Sequence, residues 1–132
     1  MQNQEIFFKE NGHKARFSAI LSALGSSGDT DVEAWIDAEY GSALYILTSN
    51  PAIWERAKEY VSDSGIPFDR MLEKERFSST EEAFIKLAAN LFGFGMDASP
   101  VVLCHLGDDE DFAVMLSALR LRRSRLKFSD FN

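Results

Sequence analysis

Arg120, Arg122, Arg123, Arg125 and Lys127 fall within eight consecutive residues that contain no acid. Cations at that density can neutralise nucleic-acid phosphates or pair with an acidic protein partner. The chain as a whole is acidic, with 14 Lys and Arg against 21 Asp and Glu and a formal charge of −7. Without the five cations of that run, nine remain against the same 21 acids. A basic patch on an acidic body is therefore the most distinctive charge feature. A local explanation competes with binding and is preferred. The same segment begins Asp108-Asp109-Glu110-Asp111, and acids at the start of a helix with cations at its end complement the helix dipole. Leu121 and Leu126 are interleaved with the cations, so their aliphatic stems can lie on apolar surface. The cations can equally pair with the acidic remainder of this chain or of a second copy.

Carboxylates raise the question of a metal. Asp108 to Asp111 lack the alternating oxygen ligands, central Gly and distant bidentate Glu of a calcium loop, so helix capping accounts for them better. Asp29, Asp31, Glu33, Asp37 and Glu39 invite comparison with helical hydrolases that hold magnesium between paired carboxylates. Glu33 and Asp37 share a helix face at i, i+4, and Glu81 and Glu82 open another helix, but no second spaced pair faces them. No metal site is expected. Magnesium-dependent nucleotide hydrolysis using Glu33, Asp37 and Glu39 is retained only as a distant alternative.

Other catalytic groups are sparse. The chain has two histidines, His13 and His105, and one cysteine, Cys104. Structural zinc needs about four ligands, so these residues do not supply a site. Cys104 and His105 are adjacent and therefore do not face each other on a helix or strand, which disfavours a thiolate–imidazole pair. His13, in a polar stretch just before a helix, could in principle supply a base to Cys104 from elsewhere in the fold, but a packing role for the thiol is preferred. Cys104 is expected to be a small core residue. Gly93-Phe94-Gly95 lacks the Lys-Ser/Thr of a phosphate-binding loop and reads as a helix stop. No catalytic residue and no cofactor follow from these patterns.

The elements that must position these residues are mostly helical. At 132 residues, 45% apolar and 27% charged, the chain suits a single helical domain over residues 1–132, with 11 Phe as core anchors. Its start lacks a secretory profile, its apolar runs are too short to cross a bilayer, and a lone cysteine forms no internal disulfide. A cytoplasmic location is expected. Ile6, Phe7 and Phe8 form a short anchor. Asn11 precedes a helix with Phe17, Ile20, Leu21 and Leu24 on one face, ended by Gly25-Ser26-Ser27-Gly28. Thr30 and Glu33 have capping-box spacing, with Val32, Trp35 and Ile36 inward and Gly41 as the stop.

Residues 42–47 are ambiguous between buried helix and strand. Asn50-Pro51 starts a helix carrying Ile53, Trp54, Ala57, Tyr60 and Val61 to a stop at Gly65. A short helix runs from Asp69 to Lys74. Ser79 with Glu82, or Ser78 with Glu81, opens a helix with Ala83, Phe84, Leu87, Ala88, Leu91 and Phe92 inward. Residues 101–106, after Ser99-Pro100, are strand-like in composition. Asp108 and Asp111 start the last helix, with Phe112, Met115, Leu116, Leu119 and Leu126 on its apolar side. The expected fold is all-α, an irregular bundle of five to seven short helices. The minor alternative is α+β with one small two-stranded element.

Three stretches carry a resemblance. They are Ala43 to Ser49; Phe77-Ser78-Ser79 running on to Lys86 to Phe92; and Ala118 to Arg123. Together they resemble a family of small, uncharacterised bacterial and prophage-associated proteins. The family has no assigned activity, so the resemblance implies a helical, cytoplasmic, accessory protein and carries over no site residue. The leading expectation is a non-enzymatic interaction or regulatory module that binds a protein partner or forms a homo-oligomer, without a membrane. Nucleic-acid binding through Arg120 to Lys127 is the alternative and is not favoured.

Overall fold

A computed structural model describes residues 6–25 and 37–124. These form seven α-helices and one 3-10 turn, with no strand among the described residues. The all-α bundle is therefore the fold, and both ambiguous runs are helical. Within 101–106, composition alone favoured a strand, but the start signals override it. Ser99 caps α6 (Pro100–Leu106) by accepting from the Val102 N–H, and Pro100 occupies a first-turn position that needs no donor.

The centre of the bundle is α2 (Ala38–Leu47), capped by Asp37, whose Oδ1 accepts from the Tyr40 N–H at 2.9 Å. Every residue from Gly41 to Leu47 is buried. A stretch buried on all sides belongs inside other helices, and α2 packs on α1 (Asn11–Gly25), α3 (Pro51–Ala57), α5 (Ser79–Phe92) and α7 (Asp109–Arg123). The aliphatic hydroxyls are satisfied on the helix's own backbone: Ser42 donates to the Ala38 carbonyl at 2.8 Å, and Thr48, the C-cap, to that of Leu44 at 2.7 Å.

Gly41 does not stop this helix. Its N–H bonds to the Asp37 carbonyl at 2.7 Å as an ordinary helical residue, and at a buried position its missing side chain keeps the central helix narrow. The expected start at Thr30 and Glu33, with Val32, Trp35 and Ile36, lies outside the described residues.

The remaining elements follow their start signals more closely than their stop signals. Asn50 caps α3 through the Ala52 N–H at 2.8 Å and the Ile53 N–H at 3.4 Å. That helix ends at Ala57, short of the expected Gly65, and gives way to a 3-10 turn over Lys58–Tyr60. Serine hydroxyls explain the early end. Ser62 Oγ accepts from the Ser64 N–H at 3.3 Å, and Ser62 and Gly65 exchange backbone bonds of 3.2 and 3.3 Å, so the backbone is satisfied in a turn. A short α4 (Phe68–Lys74) buries Phe68 and Met71. Ser78 with Glu81 makes the complete capping box of α5, so the Ser79/Glu82 option is not used. Gly93 closes α5 at φ 91°, in the left-handed region where glycine is favoured.

A segment at residues 6–9 straps the bundle. The Phe7 N–H donates to Ser117 Oγ at 2.9 Å, the Tyr45 hydroxyl donates to the Phe7 carbonyl, and Lys9 Nζ meets Asp111 Oδ1 at 3.1 Å. The Phe8 ring packs on His13, Phe17 and Tyr45 with centroids 5.0–6.0 Å apart. No helix of the described residues is long and apolar enough to cross a membrane.

Candidate interaction face on the last helix

Helix α7 begins with a complete capping box. Asp108 accepts from the Asp111 N–H at 2.8 Å, and Asp111 accepts from the Asp108 N–H at 3.3 Å. These backbone donors hold the Asp108 carboxyl below its usual range. Two carboxylates of the acidic run are thus accounted for by the helix start, and the Lys9 ion pair takes a further oxygen of Asp111.

The helix turns an unexpected side to the core. Val114, Met115, Ser117, Ala118 and Leu121 are buried. Of the residues expected inward, only Met115 is among them. Phe112, Leu116 and Leu119 are 43%, 42% and 42% exposed, which corrects the expected apolar side, and Leu126 lies outside the described residues. At about 100° per residue, the exposed three cluster on the side of α7 opposite the buried set. The helix carries two apolar stripes, and spacing does not say which one faces inward. The missed signal is the small pair Ser117-Ala118. Small side chains let α7 approach α2 closely, and the Ser117 hydroxyl receives the strap at Phe7. A cleft of about 330 Å³ between the strap and α7, lined by Ile6, Phe7, Ala113, Leu116, Ser117 and Arg120, runs beside the exposed stripe.

The basic run divides. Arg122 is half-buried and folded onto the body: its Nε donates to the Leu91 carbonyl at 2.7 Å, and its guanidinium lies 3.6 Å from Glu39 Oε2. Leu91 is in the last turn of α5, where carbonyls lack helical partners, so Arg122 ties the end of α7 to the end of α5. Arg120 and Arg123 are exposed, while Arg125 and Lys127 lie outside the described residues.

The candidate metal carboxylates among the described residues hold separate local partners. Asp37 caps α2, Glu39 faces Arg122, Glu81 completes the box of α5 and lies 3.7 Å from Arg56, and Glu82 pairs with Lys86 at 3.6 Å. Glu33 lies outside the described residues, among which no group of three or more His, Cys, Asp or Glu is placed to hold a metal.

Cys104 does not take the core position expected of it. Cys104 is exposed near the end of α6, and His105 is exposed beside it. His13 is fully buried in the first turn of α1, with Nδ1 accepting from the Lys9 N–H at 3.2 Å and Nε2 2.9 Å from the Tyr45 carbonyl. An acceptor Nδ1 leaves the proton on Nε2, so the ring is a neutral structural bridge. Burial, reinforced by nearby Arg16 and Lys9, pushes its pKa down to about 4, against the opposing bond to Tyr45. No protein-family model, curated protein or solved structure matches this chain, so its own residues carry the functional reading.

Proposed function

We propose that this chain is a small, non-enzymatic interaction module of the cytoplasm, an accessory protein of the bacterial and prophage-associated kind its sequence resembles. It engages a protein through the outward stripe of α7. One observation carries the reading: Phe112, Leu116 and Leu119 share an exposed helix side opposite the core. Three large apolar side chains aligned on one helix mark a docking surface more readily than scattered ones do. Native pull-down with and without nuclease tests it. Capture should survive nuclease and be lost in Leu116→Glu, with an unchanged circular dichroism spectrum showing that the fold is intact. Capture that ignores the substitution overturns the reading.

Nucleic-acid binding is the second reading, and Arg120 and Arg123 are its exposed described cations, since Arg122 is engaged with Leu91 and Glu39. It requires affinity that falls steeply with salt. A magnesium-dependent nucleotide hydrolase is more distant, with Asp37 and Glu39 in separate local roles; a nucleotide panel with and without magnesium tests it.

A further inference from the structure

The exposed side of α7 has an order along its length that its apolar character does not require. Asp109, Phe112, Leu116, Leu119 and Arg123 are all exposed and follow one another at intervals of three, four, three and four residues. That alternation is the spacing of a helix-pairing seam. The seam has an acid at its first position, a base at its last, and Leu116 midway between them. Asp109 and Arg123 stand seven residues either side of Leu116, and Phe112 and Leu119 stand four and three residues either side.

We infer that the occupant of this face is a second copy of the chain, its α7 laid antiparallel across the first on a twofold axis through Leu116. Reversing the direction of the partner helix brings Asp109 opposite Arg123 of the other copy, and Phe112 opposite Leu119, on both sides of the axis. Leu116 meets its own equivalent. A twofold interface requires one patch to be complementary to itself, and a seam running from acid through apolar residues to base meets that requirement only when the copies run in opposite directions. In a parallel pair, Asp109 would face Asp109 and Arg123 would face Arg123. Exposed Arg120, flanking the seam between Leu116 and Arg123, adds to the basic character of that end. Antiparallel helix dipoles act in the same sense. From Asp109 to Arg123 the seam spans roughly 21 Å, a short interface, so the dimer dissociates in the micromolar range. This identity for the partner rests on the interaction reading above.

Sedimentation equilibrium from about 5 to about 200 µM, bracketing a micromolar Kd, is the experiment. The native chain should shift from one to two chains per particle across that range. Asp109→Arg and Arg123→Asp, each placing like charges face to face twice per dimer, should each raise Kd about tenfold. The double variant Asp109→Arg/Arg123→Asp restores opposite pairs and should return Kd to near the native value. Leu116→Glu, with two carboxylates on the axis, should remain a single chain per particle. A native chain that stays single throughout overturns the second copy as occupant, while the interaction reading is still decided by the pull-down. A dimer indifferent to the single reversals, or not rescued by the double variant, overturns the antiparallel arrangement.

Discussion

His13 Nε2 lies 2.9 Å from the Tyr45 carbonyl oxygen, joining the first turn of α1 to the central helix inside the core. The bond works only with a neutral ring, because Nδ1 already accepts from the Lys9 N–H. The folded pKa of about 4 lies below the ordinary 6.5, so between those values the unfolded chain binds the extra proton. Stability should therefore fall as pH drops from about 6.5 towards about 4 and level off, for this group, below that. The full shift corresponds to about 3 kcal/mol. Urea midpoints across this window should show the slope, and His13→Gln should be less stable at pH 7 but lack it.

The two stripes of α7 are separable by truncation. Leu121→Ala removes buried volume and should lower stability by about 2–4 kcal/mol, whereas Leu119→Ala should change it by less than about 1 kcal/mol. Equal losses in chemical denaturation would contradict the orientation described for the helix.

Within the basic run, Arg122 and Arg123 should behave differently. Arg122→Ala leaves the Leu91 carbonyl without its donor and should destabilise by about 1–2 kcal/mol. Arg123→Ala should lie within about 0.5 kcal/mol of the native chain. Thermal midpoints of the two variants make the comparison.

The start of α5 chooses between two serines. Ser78→Ala should cost about 1 kcal/mol, and Ser79→Ala much less, since only Ser78 accepts from the Glu81 N–H. Denaturant midpoints that rank the two in reverse would contradict this cap.

Cys104 is exposed, so a thiol reagent should modify one equivalent per chain without denaturant. Labelling that appears only on unfolding would return the thiol to the core.

Legibility in the sequence followed the range of the interactions involved. Asn50-Pro51, Ser78 with Glu81, Asp108 with Asp111 and Gly93 act within four residues of themselves, and each marks an element where it stands. Gly41, Cys104, His13 and the orientation of α7 depend on what packs against them from distant parts of the chain. A glycine reads as a stop until a buried helix surrounds it. Nothing in the polar stretch around His13 signals burial, which comes from Phe8 and Tyr45 closing over it. Arg120, Arg122 and Arg123 looked equivalent, and the accident of which one overhangs the end of α5 separated them.

The strap at Phe7 meets Ser117, 110 residues further along the chain. During synthesis the first described segment therefore waits for the last helix before its backbone is fully engaged. Until α7 emerges, the buried central helix α2 lacks one of its walls. The nascent chain passes through a stage in which the centre of its core is open on one side, and final closure is a late, long-range step. Amide protons of Phe7 and of Gly41 to Leu47 should thus gain protection together in pulse-labelled refolding, after the locally capped helices α3 and α5 have formed.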